Sequence, residues 1–154
     1  MERLKSSFVH SVQAGASHSL ALTDKAELYS WGKNSQGQCG VGNNEDLLLP
    51  ALVSFKEEVK VVVVAAGWEH TLALTSEGEV YSWGCGYKDS RRGVVPPVLG
   101  LGSSDAKVVP EKIMALEGIT IRSIVCGWDH CLALSNKVGS CYRVFSPLHR
   151  SFIM

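Results

Sequence analysis

Net charge is the first thing this sequence lacks. Fifteen Lys and Arg balance fifteen Asp and Glu over 154 residues, the pI lies near 6.9, and charged residues are only 19% of the chain. A balanced chain has no long-range field to gather polyanions, so nucleic acid and anionic membranes are not expected as partners. A long apolar run is missing too. The longest, Val61 to Trp68, is bracketed by Lys60 and Glu69 and falls far short of the roughly 20 residues a membrane helix needs. The opening residues, Met1 to Ser7, have no apolar core of the kind a secretory signal carries. The cysteines Cys39, Cys85, Cys126, Cys131 and Cys141 contain no CxxC pair and are odd in number, which argues against a zinc site and a complete disulfide framework. They read as reduced thiols, which places the chain in the cytosol or the nucleus.

Catalytic signatures are also absent. No H-E-x-x-H, nucleophile motif or spaced carboxylate pair occurs, and Glu57 and Glu58, being adjacent, point apart on a strand. Gly37, Gly40 and Gly42, with Gly100 and Gly102, are glycine-rich without forming either phosphate-loop pattern, and their repetition points to tight turns of positive φ. No enzyme, cofactor or metal is implied.

What the sequence does have is a repeat. Ala14-Gly15-Ala16-Ser17-His18-Ser19-Leu20-Ala21-Leu22-Thr23 returns as Ala66-Gly67-Trp68-Glu69-His70-Thr71-Leu72-Ala73-Leu74-Thr75, and again as Cys126-Gly127-Trp128-Asp129-His130-Cys131-Leu132-Ala133-Leu134-Ser135. The period is about 52 residues between the first two copies and about 60 between the next two, the size of one propeller blade. A second block follows at fixed distance, Glu27-Leu28-Tyr29-Ser30-Trp31-Gly32 matching Glu79-Val80-Tyr81-Ser82-Trp83-Gly84. Short segments bounded by glycine and polar turns predict a hairpin per repeat. Strand parity places His70, Leu72 and Leu74 on one face and Thr71, Ala73 and Thr75 on the other, one bulky and one small. Neither face is strongly polar, which suits a sheet packed between neighbouring sheets.

The spaced elements A/C-G-x-x-H-T-L-A-L-T, G-E-V-Y-S-W-G and N-x-x-G-Q-x-G-x-G, over Val12 to Leu134, resemble the regulator of chromosome condensation repeat. The resemblance implies an all-β fold, a β-propeller of that type, here incomplete at about two and a half blades. Family members close seven four-stranded blades into a ring, which would take roughly 350 residues at about 50 per blade. The chain is therefore expected to be a fragment or isoform of a longer protein, a ubiquitin ligase for instance, with residues 1–142 as partial propeller and 143–154 as a divergent tail. The third copy loses the pattern after Leu134, where Gly139-Ser140-Cys141-Tyr142-Arg143 stands in place of the second block.

Binding to a protein partner, as a scaffold, is the function this implies; guanine nucleotide exchange on a small GTPase, the activity of the family's founding member, is the alternative. His18, His70 and His130 fall at one strand position per blade and so are expected to be structural, each satisfying local backbone groups rather than converging on an ion, with Gly15, Gly67 and Gly127 beside them and Trp31 and Trp83 as packing residues. Trp68 and Trp128 fill the variable position after the blade glycine. Their Gly-Trp-Glu-His-Thr and Gly-Trp-Asp-His-Cys units resemble the Gly-Trp-Arg-His-Thr units of plant ultraviolet-B photoreceptors, a further alternative, but Glu69 and Asp129 replace the arginines that hold those dimers. The pair is expected to pack or to face a partner. The segment Gly86 to Val98 is longer than its counterpart in the first copy, and its Tyr87, Lys88, Arg91 and Arg92 form a basic, aromatic contact candidate. Open blade edges and the Val61–Ala66 segment predict self-association.

Overall fold

The computed structural model describes residues 7–85, 98–138 and 140–144. Eleven strands form three antiparallel sheets, each a meander in chain order. The first blade comprises β1 (Val9–Ala14), β2 (His18–Thr23), β3 (Leu28–Gly32) and β4 (Leu47–Leu52). The second comprises β5 (Val61–Ala66), β6 (His70–Thr75), β7 (Val80–Gly84) and β8 (Lys107–Lys112), and the third β9 (Ile121–Cys126), β10 (Cys131–Ser135) and β11 (Cys141–Val144). Among the described residues the only helical element is a single 3-10 turn, Met114–Leu116. No helix of these residues is long and apolar enough to cross a membrane.

The hairpins follow from turn chemistry. In the second blade Gly78, at φ 79°, returns its N–H to Thr75 O and lets Thr75 N reach Glu79 O. The first blade uses Ala26 at the same place, at φ 60°, the one non-glycine residue with positive φ among those described. A Cβ in that left-handed conformation is strained. In the third blade the pattern lost from the sequence survives as structure: β11 pairs with β10 from Leu134↔Cys141 to Cys131↔Val144. The strand therefore runs through the boundary expected at residue 142, because backbone pairing needs no Tyr-Ser-Trp signature. The turn glycines Gly37, Gly40, Gly42, Gly100 and Gly102 all have positive φ, as their repetition implies.

The two faces of each sheet explain the packing. Leu20 and Leu22 of the first blade cluster with Ala73, Tyr81 and Trp83 of the second, and Leu72 and Leu74 of the second with Cys131 and Ala133 of the third. The leucine face of β2 thus meets a face of the second blade on which the small β6 residues Thr71 and Ala73 lie beside their large β7 partners Trp83 and Tyr81. Small residues on one strand leave room for the large ones on the next, as a close-packed interior requires. Leu72, Leu74, Tyr81 and Trp83 are all buried, as strand parity requires. The strand Val61–Ala66 is a sheet edge, pairing only with β6, and exposes part of Val62 and Val63.

Candidate functional site

Each Gly-x-x-His unit is a compact device. A Cβ on Gly15, Gly67 or Gly127 would run into the imidazole of His18, His70 or His130 respectively, so only glycine lets the ring fold back over the turn. The ring then points along the chain of blades. His18 Nε2 lies 2.9 Å from Thr71 Oγ1 of the second blade, and the Thr71 hydroxyl donates at 2.9 Å to Gln38 O. With its proton committed to Gln38, Thr71 must accept from His18, which fixes the Nε2–H tautomer and leaves Nδ1 as the buried atom without a partner. Burial, and secondarily the neighbouring His70, lowers the His18 pKa to about 4, so the ring is neutral. His18 and His70 each bond a side chain of the following blade, Thr71 and Cys131, rather than the local backbone groups expected from the sequence. Sequence parity shows which face a histidine occupies and not what stands opposite.

Trp83 completes the first seam. It is fully buried and its Nε1 donates at 3.0 Å to the same Gln38 carbonyl. Gly40 sits flat against the Trp83 indole, and any side chain there would displace the ring. Trp31, by contrast, is only partly buried.

The second seam has different chemistry. Cys131 replaces Thr71, and Cys126 replaces Ala66. The two are direct cross-strand partners in the β9–β10 ladder, with sulfurs 3.3 Å apart. His70 Nε2 approaches Cys131 Sγ at 3.0 Å, and one ligand atom from each of His70, Cys126 and Cys131 falls within 4.8 Å of the other two. Cys126 is the more acidic thiol of the pair, because the Cys131 S–H bonds its thiolate and His70 adds to that against the opposing effect of burial; the same contact holds the Cys131 pKa above the ordinary range. The cysteine spacing read against such a cluster, and the structure corrects it: a four-residue hairpin loop separates the thiols in sequence and register brings them face to face.

Trp68 and Trp128 meet at the end of the seams. Their rings stack with centroids 3.9 Å apart and planes within 3°, and Trp68 N donates to Trp128 O at 3.4 Å, as Ala16 N does to Trp68 O at 3.2 Å one blade earlier. The pair stays accessible, Trp68 at 41% and Trp128 at 60%. Glu69 beside it holds Lys33 at 3.3 Å, and Asp129 holds His130 Nδ1 at 3.2 Å. His130 has no following blade among the described residues and turns to its neighbour instead. Tyr87, Lys88, Arg91 and Arg92 lie outside the described residues.

The regulator of chromosome condensation (RCC1) repeat matches residues 25–74 and 98–134, and a second form of the same repeat matches residues 9–38 and 61–89. The chain belongs to the RCC1 repeat family. Curated RCC1 relatives include the ultraviolet-B receptor UVR8 of Arabidopsis thaliana, 37% identical over 127 residues that make up 82% of this chain and 27% of that protein. The E3 ubiquitin-protein ligase HERC2 of Homo sapiens is 39% identical over 139 residues, 89% of this chain and 3% of HERC2. The chain thus spans about a quarter of one relative and a small fraction of the other. Among solved structures, human WBSCR16 superimposes with TM-score 0.72 at 28% identity, covering 88% of this chain and 32% of that one. Prp20p of Saccharomyces cerevisiae, described together with its binding to Gsp1p and histones, gives 0.68 at 28% over the same shares. The partial RCC1 propeller is therefore the fold.

Proposed function

We propose that this chain is a protein-interaction module, one part of a larger RCC1 propeller, that works by presenting its rim to a protein partner and not by catalysis. The stacked Trp68–Trp128 pair carries this reading. Packing dictates the leucines, histidines and glycines of the repeat, yet two large aromatic rings are held rigidly parallel and left accessible, a low-entropy anchor of the kind enriched at interfaces. The insertion bearing Tyr87, Lys88, Arg91 and Arg92 is a second contact, suited to an acidic partner surface. A small GTPase is one partner class, since the similar Prp20p is described as binding Gsp1p; guanine nucleotide exchange would then belong to the complete ring. The reduced thiols agree with a cytosolic or nuclear setting.

Ultraviolet-B reception is a second reading, favoured by the indole stack and by the likeness to UVR8. The acidic residues Glu69 and Asp129, already paired with Lys33 and His130, weigh against a dimer of that receptor's kind. The test is a pull-down from cell extract with the chain and with a Trp68→Ala/Trp128→Ala variant of unchanged far-ultraviolet circular dichroism. Specific partners are expected to be lost from the variant. An unchanged partner list removes the stack from the interface, and a change in oligomeric state under ultraviolet-B light would favour the second reading.

A further inference from the structure

We propose that His70, Cys126 and Cys131 form a zinc site that clasps the second blade to the third. The ligand atoms come from β6, β9 and β10, so a bound ion would bridge the two sheets across their seam. His70 and Cys131 are buried and Cys126 is half-buried, which leaves one approach and one open coordination position on the Cys126 side. No carboxylate belongs to the cluster. An all N/S set selects zinc or a softer ion over magnesium or calcium.

The geometry needs little adjustment. Zinc bonds of about 2.3 Å to sulfur and about 2.0 to 2.1 Å to nitrogen in a tetrahedron place the sulfurs roughly 3.7 Å apart and each sulfur roughly 3.6 Å from the nitrogen. The present separations of 3.3 Å between sulfurs and 3.0 Å from His70 Nε2 to Cys131 are those of hydrogen-bond contacts without an ion between them. Side-chain rotation that opens these two contacts by about half an ångström, with His70 and Cys126 already within 4.8 Å of each other, makes room for an ion. Both cysteines bind as thiolates, so each thiol proton still present leaves to solvent when zinc is taken up, and no electron is transferred.

Comparison with the first seam isolates the feature. There the equivalent positions are His18, Ala66 and Thr71, and the hydroxyl is satisfied by His18 and the Gln38 carbonyl. A plain blade-to-blade link thus needs no sulfur. The two substitutions that convert the link into a thiol pair fall on the two residues that, among the described residues, join His70 in a ligand set.

The same comparison supplies variants that fold. Cys126→Ala and Cys131→Thr each install the residue the second blade already carries. Zinc would be titrated into the reduced, chelator-stripped chain against a chromophoric competitor, and cobalt(II) substituted for its optical spectrum. One equivalent is expected to bind, with thiolate-to-cobalt charge transfer, tetrahedral ligand-field bands and a raised thermal midpoint. Either variant should weaken zinc binding by about a hundredfold or more, beyond the 10–100-fold typical of losing only an outer-shell contact, and abolish the thermal shift. The proposal is overturned if the reduced chain takes up no zinc, if cobalt shows no thiolate band, or if both variants bind as the parent does, which would move the site to Cys39, Cys85 or Cys141.

Discussion

Acidification probes the seam between the first two blades through one atom. His18 is neutral in the fold, with a pKa lowered from 6.5 to about 4, whereas in the unfolded chain it titrates at its ordinary value. Because the folded pKa is the lower one, the unfolded state takes up the proton first. The stabilisation is complete above the unfolded pKa and is lost as the pH falls toward the folded one. Between about pH 7 and about pH 5 this single group removes about 2 kcal/mol of stability, at a slope that approaches about 1.4 kcal/mol per pH unit. Cys126, whose pKa is lowered to about 6, also falls in this window, so the histidine's share is read from the comparison with a variant that lacks it. Urea unfolding followed by tryptophan fluorescence at several pH values would measure it, and His18→Gln is the control, since an amide donates to Thr71 Oγ1 without titrating. The variant should start less stable and then lose much less on acidification. An equal loss in both proteins would place the proton elsewhere and refute the assignment of a buried, neutral His18.

Other consequences are open to equally direct measurement. Trp83→Ala empties a fully buried site and removes one of the two hydrogen bonds the Gln38 carbonyl accepts, and should cost about 3–5 kcal/mol in denaturant unfolding. Ala26→Gly relieves the left-handed Cβ at φ 60° and should add about 0.5–1 kcal/mol of stability once the added freedom of the unfolded chain is subtracted, read as a raised thermal midpoint; a lowered midpoint would show that Ala26 is unstrained. Val12→Lys on β1, where Val12 is 67% exposed, should reduce self-association seen by light scattering, because a lysine on an edge strand opposes sheet pairing. An association constant unaffected by this change would take β1 out of the contact.

The blade architecture was legible because it is written redundantly. His, Leu and Ala recur at fixed strand positions, and parity alone separates His70, Leu72 and Leu74 from Thr71, Ala73 and Thr75. What parity cannot show is which residue a neighbouring sheet brings opposite, so the His18–Thr71–Gln38 link and the His70–Cys131 contact emerge only from three-dimensional register. The cysteine pair is the clearest instance. A motif search looks for ligands at close helical or loop spacing, whereas Cys126 and Cys131 are joined by the hairpin ladder and His70 reaches them from another blade. One signal was present: Ala66 becoming Cys126 and Thr71 becoming Cys131 in adjacent copies. Position-by-position comparison of repeats would have flagged both. The third blade's last strand was obscured for the opposite reason, since its side chains diverge while its backbone pairing does not.

The pairing of one face of a blade with the opposite, differently built face of the next gives the array an arrow. Leu132, Leu134 and His130 of the third blade are more exposed than their counterparts Leu72, Leu74 and His70. The surface that matches them is the opposite face of a blade, which the first blade builds from Ser19 and Ala21 with their cross-strand partners Trp31 and Tyr29. A contact of this kind is heterologous: two molecules would join tail to head and not through a shared twofold axis. Addition of blades in that sense either returns on itself as a ring or continues as a filament, with the rotation per blade deciding between them. A symmetric dimer formed through these faces would set leucine against leucine and leave the histidines without hydroxyl or thiol partners.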